Sequence, residues 1–159
     1  MARSVYRNKD FNKIIDKLTE RNPVTGVAVF PTIKALQCFA AVLGFDRKRR
    51  VELDRSNIDG IEWHTFSNDK LTRYIFLIAL AETKDLNVLK YDESGNNEVP
   101  QCGDMVKIFE EYANGGFEIL SSWLDKTPGD PYGEKAIMVA MSKAKYLEVE
   151  EQSVSEVEF

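Results

Sequence analysis

Histidine occurs once in this chain of 159 residues, at His64, and cysteine twice, at Cys38 and Cys102. A single imidazole leaves one candidate base for any Ser–His or Cys–His nucleophilic pair. It lies in Glu62-Trp63-His64-Thr65-Phe66, among aromatic residues, and reads as a histidine at a strand edge. One histidine and two distant cysteines match no zinc-ligand spacing, so neither a metal nor another cofactor is expected. Cys38 sits in the apolar stretch Leu36-Gln37-Cys38-Phe39-Ala40-Ala41 and reads as a small core residue. The Gly-x-x-x-x-Gly-Lys-Ser/Thr phosphate loop is also missing. Gly115-Gly116 falls between apolar helical repeats, where a bend or a close helix contact is the expected role. No apolar run approaches the roughly 20 residues that span a bilayer, so no membrane association is expected. The opening Met-Ala-Arg-Ser-Val-Tyr-Arg-Asn-Lys-Asp lacks the apolar stretch of a signal peptide, which points to the cytoplasm and reduced thiols.

Charge is plentiful, and it is sorted by position. Through Arg55 there are 12 Lys and Arg against six acids. The rest of the chain carries nine basic and 20 acidic residues, so a balance of +6 is followed by one of −11 and the total is −5. Such asymmetry suggests an anionic partner for one end of the molecule.

Hydrophobic periodicity predicts a mainly α fold, a single compact helical domain of five to six helices with a minor short β element. Phe11, Ile14, Ile15 and Leu18 mark one face of a helix from about Lys9 to Arg21. A second helix opens at Pro31-Thr32, is apolar nearly all round from Ile33 to Leu43, ends at Gly44 and should be central. Val27–Phe30, Val51–Leu53 and Ile61–Phe66 read as possible extended segments. Ser67-Asn68-Asp69 offers N-cap chemistry to a third helix through Ala81, and Asp104 offers it to a fourth with Met105, Ile108, Phe109 and Tyr112 inward. Phe117, Leu120, Trp123 and Leu124 resume that period after the glycines. Asp130-Pro131 precedes a last helix reaching about Tyr146. The domain is expected to cover residues 1–147. Residues 148–159 hold five acids and no Lys or Arg, and are expected to form an acidic, disordered tail.

Two groups of residues are candidates for function. Arg47-Lys48-Arg49-Arg50 follows the second helix, and Lys9, Lys13, Lys17 and Arg21 repeat every four residues along the first. A helix dipole accounts for one or two cations near a C-terminus, not four, so these eight residues are the expected contact with a nucleic-acid backbone or an acidic protein. The alternative is a metal-dependent nuclease. Asp69, followed by Glu82-Thr83-Lys84, superficially fits the Asp…Glu-x-Lys arrangement, but that geometry uses a strand end and these residues read as helical. Glu110-Glu111 would diverge by about 100 degrees on a helix and would not converge on one ion.

Three blocks resemble a known family when taken in order and spacing. They are Val29-Phe30-Pro31-Thr32 with Cys38-Phe39-Ala40-Ala41-Val42-Leu43-Gly44-Phe45, then Tyr74 to Asp85, then Ile108-Phe109-Glu110-Glu111-Tyr112-Ala113-Asn114-Gly115-Gly116. The family is that of dnd system-associated protein 4, also called DNA phosphorothioation-associated protein 4, and the likeness runs from about Phe30 to Leu124. It implies a bacterial accessory protein of a system that places sulfur in the DNA backbone and restricts unmodified DNA. Antiviral defence and partners within that system follow from the same resemblance, and a DNA-binding regulator of the same gene cluster is a further alternative. It brings no active-site motif, and the expected protein is not an enzyme.

Overall fold

The structure is a computed structural model that describes residues 3–146. Its elements in chain order are β1 (Ser4–Asn8), α1 (Asn12–Thr19), α2 (Ile33–Asp46), β2 (Ile58–Glu62), α3 (Trp63–Asn68), α4 (Thr72–Thr83), α5 (Met105–Asp125) and α6 (Glu134–Lys143). The fold is therefore mainly α, with six helices and one antiparallel ribbon among the described residues. The expected tail, 148–159, lies outside them.

α5 is the axis of the molecule. Its 21 residues span about 31 Å at 1.5 Å per residue. Asp104 starts it by accepting from the backbone N–H of Val106 (3.1 Å) and Lys107 (3.2 Å), as the sequence predicts. Every residue from Met105 to Phe117 except Lys107 is buried. α2 lies directly against it, with α1 and α4 packed beside the pair. Gly115-Gly116 does not break the helix, which runs through both residues without interruption. The glycines instead let two backbones meet. A Cβ on Gly116 would fall well inside contact distance of the Ala40 carbonyl oxygen, and one on Gly115 would collide with the Arg49 carbonyl. Gly44 stands in the same relation to the Tyr112 carbonyl from the α2 side. It is thus a contact residue and not a stop, and α2 continues to Asp46.

α2 ends in a turn without glycine. Lys48 takes φ 55°, while the Arg49 N–H reaches back to the Gly44 carbonyl (2.8 Å) and the Lys48 N–H to that of Phe45 (3.1 Å). Both bonds satisfy carbonyls that a helix end leaves open. Lys70, Lys84 and Lys145, after α3, α4 and α6, adopt the same left-handed conformation, so four helices stop at a lysine. A cation near the helix C-terminus offsets part of the cost of that conformation.

The extended segments differ most from expectation. β1 pairs with β2 from Ser4↔Glu62 to Asn8↔Ile58. Its sequence, Ser-Val-Tyr-Arg-Asn, has little apolar character, and distant side chains hold its outer edge. The Tyr6 N–H donates to the Glu110 carboxylate (2.7 Å), and Gln37 Nε2 donates to the Tyr6 carbonyl (3.1 Å). Ile61–Phe66 is not one strand. β2 ends at Glu62, and Trp63 and Phe66, one helical turn apart, are buried together from α3. Val51–Leu53 is irregular and docks on α5, and Val27–Phe30 bends without pairing. Asp69 closes α3 and caps nothing downstream. α6 begins at Glu134, three residues beyond the expected Pro131, with Gly133 as its N-cap, while Asp130 accepts from the Ala136 N–H (2.9 Å).

Replacing Gly116 with Ala should destabilise the protein strongly, because the new methyl meets backbone that cannot rotate away. Overpacking of this kind costs about 1–3 kcal/mol. Thermal unfolding of Gly116→Ala should show a midpoint lower by roughly 3–10 °C; an unchanged midpoint would refute the close crossing.

Candidate nucleic-acid or partner interface

The segment after α2 is stapled to α5 by its own arginines. Arg49 pairs with Glu118, its Nε at 2.7 Å. Arg50 Nε donates to Glu111 (2.7 Å) and its Nη1 to Glu82 on α4 (3.3 Å), and its guanidinium lies 5.7 Å from the centre of the Tyr112 ring. Arg55 Nη2 donates to Glu110 (3.0 Å). Backbone contacts complete the attachment. The Val51 N–H donates to the Glu111 carbonyl (3.1 Å), and Asn114 Nδ2 donates to the carbonyls of Val51 (3.3 Å) and Glu52 (3.2 Å).

Glu110 and Glu111 retain 1% and 4% exposure, so these are carboxylates withdrawn from water and held by arginines at the surface. Burial pushes the Glu110 carboxyl above its ordinary value, with the Tyr6 N–H and Arg55 pulling the other way. For Arg50, burial works against the charge. The bond to Glu111 and the fields of Glu111 and Glu82 outweigh it, so the guanidinium holds its proton more tightly than usual. Tyr112 donates its hydroxyl to Glu82 and is pushed up to about 12, by burial first and then by that contact.

Arg47 faces the other way. Its Nε donates to the Tyr146 hydroxyl (3.0 Å), and Asp46 lies 4.0 Å from it. Its side chain borders two adjoining depressions, of about 310 and 330 Å³, which share Arg47, Trp123 and Lys126. Lys143 and the small residues Ala136, Ala140 and Ala144 of the α6 side line the first. Arg49 and Glu118 line the second. Arg47 is the C-cap of α2, Lys126 the C-cap of α5, and Lys143 the last residue of α6. Among the described residues Lys48, Lys126 and Lys143 form no ion pair.

The basic repeat on the first helix is divided. Lys9 lies in a short 3-10 turn before α1, 4.0 Å from Asp59, and Arg21 lies beyond the helix end at Thr19. Only Lys13 and Lys17 stand on α1. None of the four lines the depressions beside Arg47.

The nuclease trio is not brought together. Asp69 precedes α4 and pairs with Lys34, whereas Glu82 sits in the last turn of that helix with Tyr112 and Arg50. Ten helical residues separate the two ends by about 15 Å. No one metal ion could bind both carboxylates, and no group of three or more His, Cys, Asp or Glu among the described residues is placed to hold one. His64 is exposed on the first turn of α3, not at a strand edge.

Sequence reasoning did not anticipate Lys126, between Asp125 and Thr127, or Lys143, between Ser142 and Ala144, because neither lies in a basic run. It also did not anticipate that Glu110, Glu111 and Glu118 would be the counter-ions of Arg55, Arg50 and Arg49. The spacing of the three glutamates along a buried helix was the available signal.

The two arginines beside Arg47 should respond differently to removal. Arg50→Ala leaves Glu111 buried without its partner, at a cost of about 2–3 kcal/mol. Arg49→Ala breaks an exposed pair and should cost under about 1 kcal/mol. Denaturant unfolding of the two variants should separate them clearly; equal losses would contradict the clamp. It follows that the four residues 47–50 cannot all be replaced without loss of stability.

Comparison with curated proteins and with solved structures returns no match. No helix among the described residues is long and apolar enough to cross a membrane. The sequence profile of DNA sulphur modification system-associated protein 4 matches residues 4–159, nearly the whole chain, and the protein belongs to that family.

Proposed function

We propose that this protein is a non-catalytic accessory component of a bacterial DNA sulphur modification and restriction system, acting in the cytoplasm in antiviral defence. It contacts the DNA backbone through the surface around Arg47. The observation that carries this reading is the gathering of Arg47, Arg49, Lys126 and Lys143 around shared depressions in a chain of net charge −5. Each helix end accounts for part of its own cation, worth about 0.3–1 kcal/mol. It does not account for three such ends bordering one depression, with Lys48 exposed beside them. Glu118 lines one of the depressions and is engaged by Arg49, and Asp46, next to Arg47, is engaged by Tyr146. The family itself is named for association with a DNA sulphur modification system, which fits a role beside other proteins of that system.

DNA binding measured across a salt series tests the reading. Three to four phosphate contacts should give a log–log slope near −3. The variant Arg47→Ala/Lys126→Ala/Lys143→Ala should flatten the slope by about 2 and weaken binding alike for all sequences, with little change in melting. No binding by the wild-type chain at low salt would exclude DNA. An acidic protein of the same system would then be the partner, found by co-purification from the native operon.

The absence of catalysis is tested separately. Plasmid DNA incubated with the protein and Mg²⁺ or Mn²⁺ should remain intact. Cleavage that disappears in Glu82→Gln would restore the nuclease alternative.

A further inference from the structure

Residues 147–159 read Leu-Glu-Val-Glu-Glu-Gln-Ser-Val-Ser-Glu-Val-Glu-Phe, with acids at 148, 150, 151, 156 and 158 and no cation. They follow directly on Tyr146, whose hydroxyl is bonded to Arg47 (3.0 Å) and whose ring lies 5.7 Å from the Arg47 guanidinium. The described chain therefore ends at the rim of the basic depression. Tyr146 also closes a second, largely apolar hollow of about 200 Å³ formed with Phe39, Val42, Leu43 and Met141, with Asp46 at its edge bonded to the Tyr146 hydroxyl. Val42 is 46% exposed there, which is unusual on a helix as apolar as α2. An apolar hollow and a cationic depression thus adjoin at one point of the surface, and the acidic segment follows on in the chain from that point.

We propose that the acidic segment 147–159 is an intramolecular competitor for the basic surface of Arg47, Lys126 and Lys143. The proposal rests on the reading of that surface as a DNA-backbone site and supplies its regulation. Reach is ample, since 13 residues extend to about 40 Å. A short tether holds its end at millimolar effective concentration, so even a weak charge contact competes with a ligand arriving from solution. The effect is a salt-dependent brake. It strengthens discrimination against isolated phosphates and yields to a polyanion that engages all the cations together.

The test keeps the chain at full length and replaces Glu148, Glu150, Glu151, Glu156 and Glu158 with Gln. Duplex DNA should bind this variant about three- to tenfold more tightly at low salt, and the gain should fade as the Debye length shortens toward 3 Å near 1 M salt. Amide and indole NMR signals of Lys126, Lys143 and Trp123 should shift between wild type and variant with no DNA present. Unchanged affinity and unchanged signals, in a wild type that does bind DNA, would overturn the competitor. If neither chain binds DNA, the DNA reading has failed, and the NMR comparison alone decides whether the segment occupies the surface.

Discussion

Everything else in this structure is placed by one constraint, the contact of the α2 and α5 backbones at Gly44, Gly115 and Gly116. Helices usually pack 8–10 Å apart because side chains stand between them. Where glycines remove those side chains the axes approach, and neighbouring residues on each helix become fixed to one another. Here the approach puts the Arg49 carbonyl against Gly115, so the chain leaving α2 must run along α5 and cannot depart into solvent. Segment 47–55 is laid down on a helix that offers it a carboxylate at Glu110, Glu111 and Glu118. The crossing comes first and the ion pairs follow from it.

That order changes the meaning of the sorted charge. A basic first third and an acidic remainder suggest an external anion, yet much of the asymmetry is consumed inside the fold. Arg49, Arg50 and Arg55 neutralise acids of the second region, and Arg3 does the same for Asp104 (2.7 Å). Buried carboxylates of this kind stabilise little in themselves, since desolvation offsets most of the Coulomb attraction, but losing one partner is costly. The pairs therefore fix the path of the loop more than they add to its stability. The proposed surface draws on the outward set, Arg47 and Lys48 with Lys126 and Lys143, and two of these four come from the acidic region of the chain.

The helices were legible in the sequence because burial repeats every 3.6 residues and because Asp104 is a local cap. Both signals act within a few positions. Helix ends were less legible, since the usual glycine is replaced by lysines at 48, 70 and 84, and since Gly44, which looks like a stop, serves the crossing. β1 was illegible for a different reason. Ser4–Asn8 has no alternating apolar pattern, and its backbone is held by Glu110 and Gln37 from far along the chain. Trp63–Asn68 carries the aromatic and β-branched residues of a strand, yet the joint burial of Trp63 and Phe66 decides for a helix. The candidate surface was half legible. The run at 47–50 marks its position, but no run marks Lys126 or Lys143, which reach it only through the packing of α5 and α6.

The division between inward and outward cations also limits how this surface can vary. A residue such as Arg50 is bound to Glu111 in geometry that suits a guanidinium: Nε to one carboxylate, Nη1 to another, and the plane near an aromatic ring. Lysine has a single ammonium and cannot make that set. Arg47 shares such a demand through Tyr146, whose hydroxyl takes its Nε and whose ring lies under its guanidinium. Lys126 and Lys143 carry none, and in the proposed role a phosphate backbone is met by charge and reach more than by fixed angles. Substitution between Lys and Arg should thus be cheap at Lys126 and Lys143 and costly on the inward set. A surface that met DNA through charge alone could be tuned while the fold is kept, provided the crossing and the clamp beneath it stay intact.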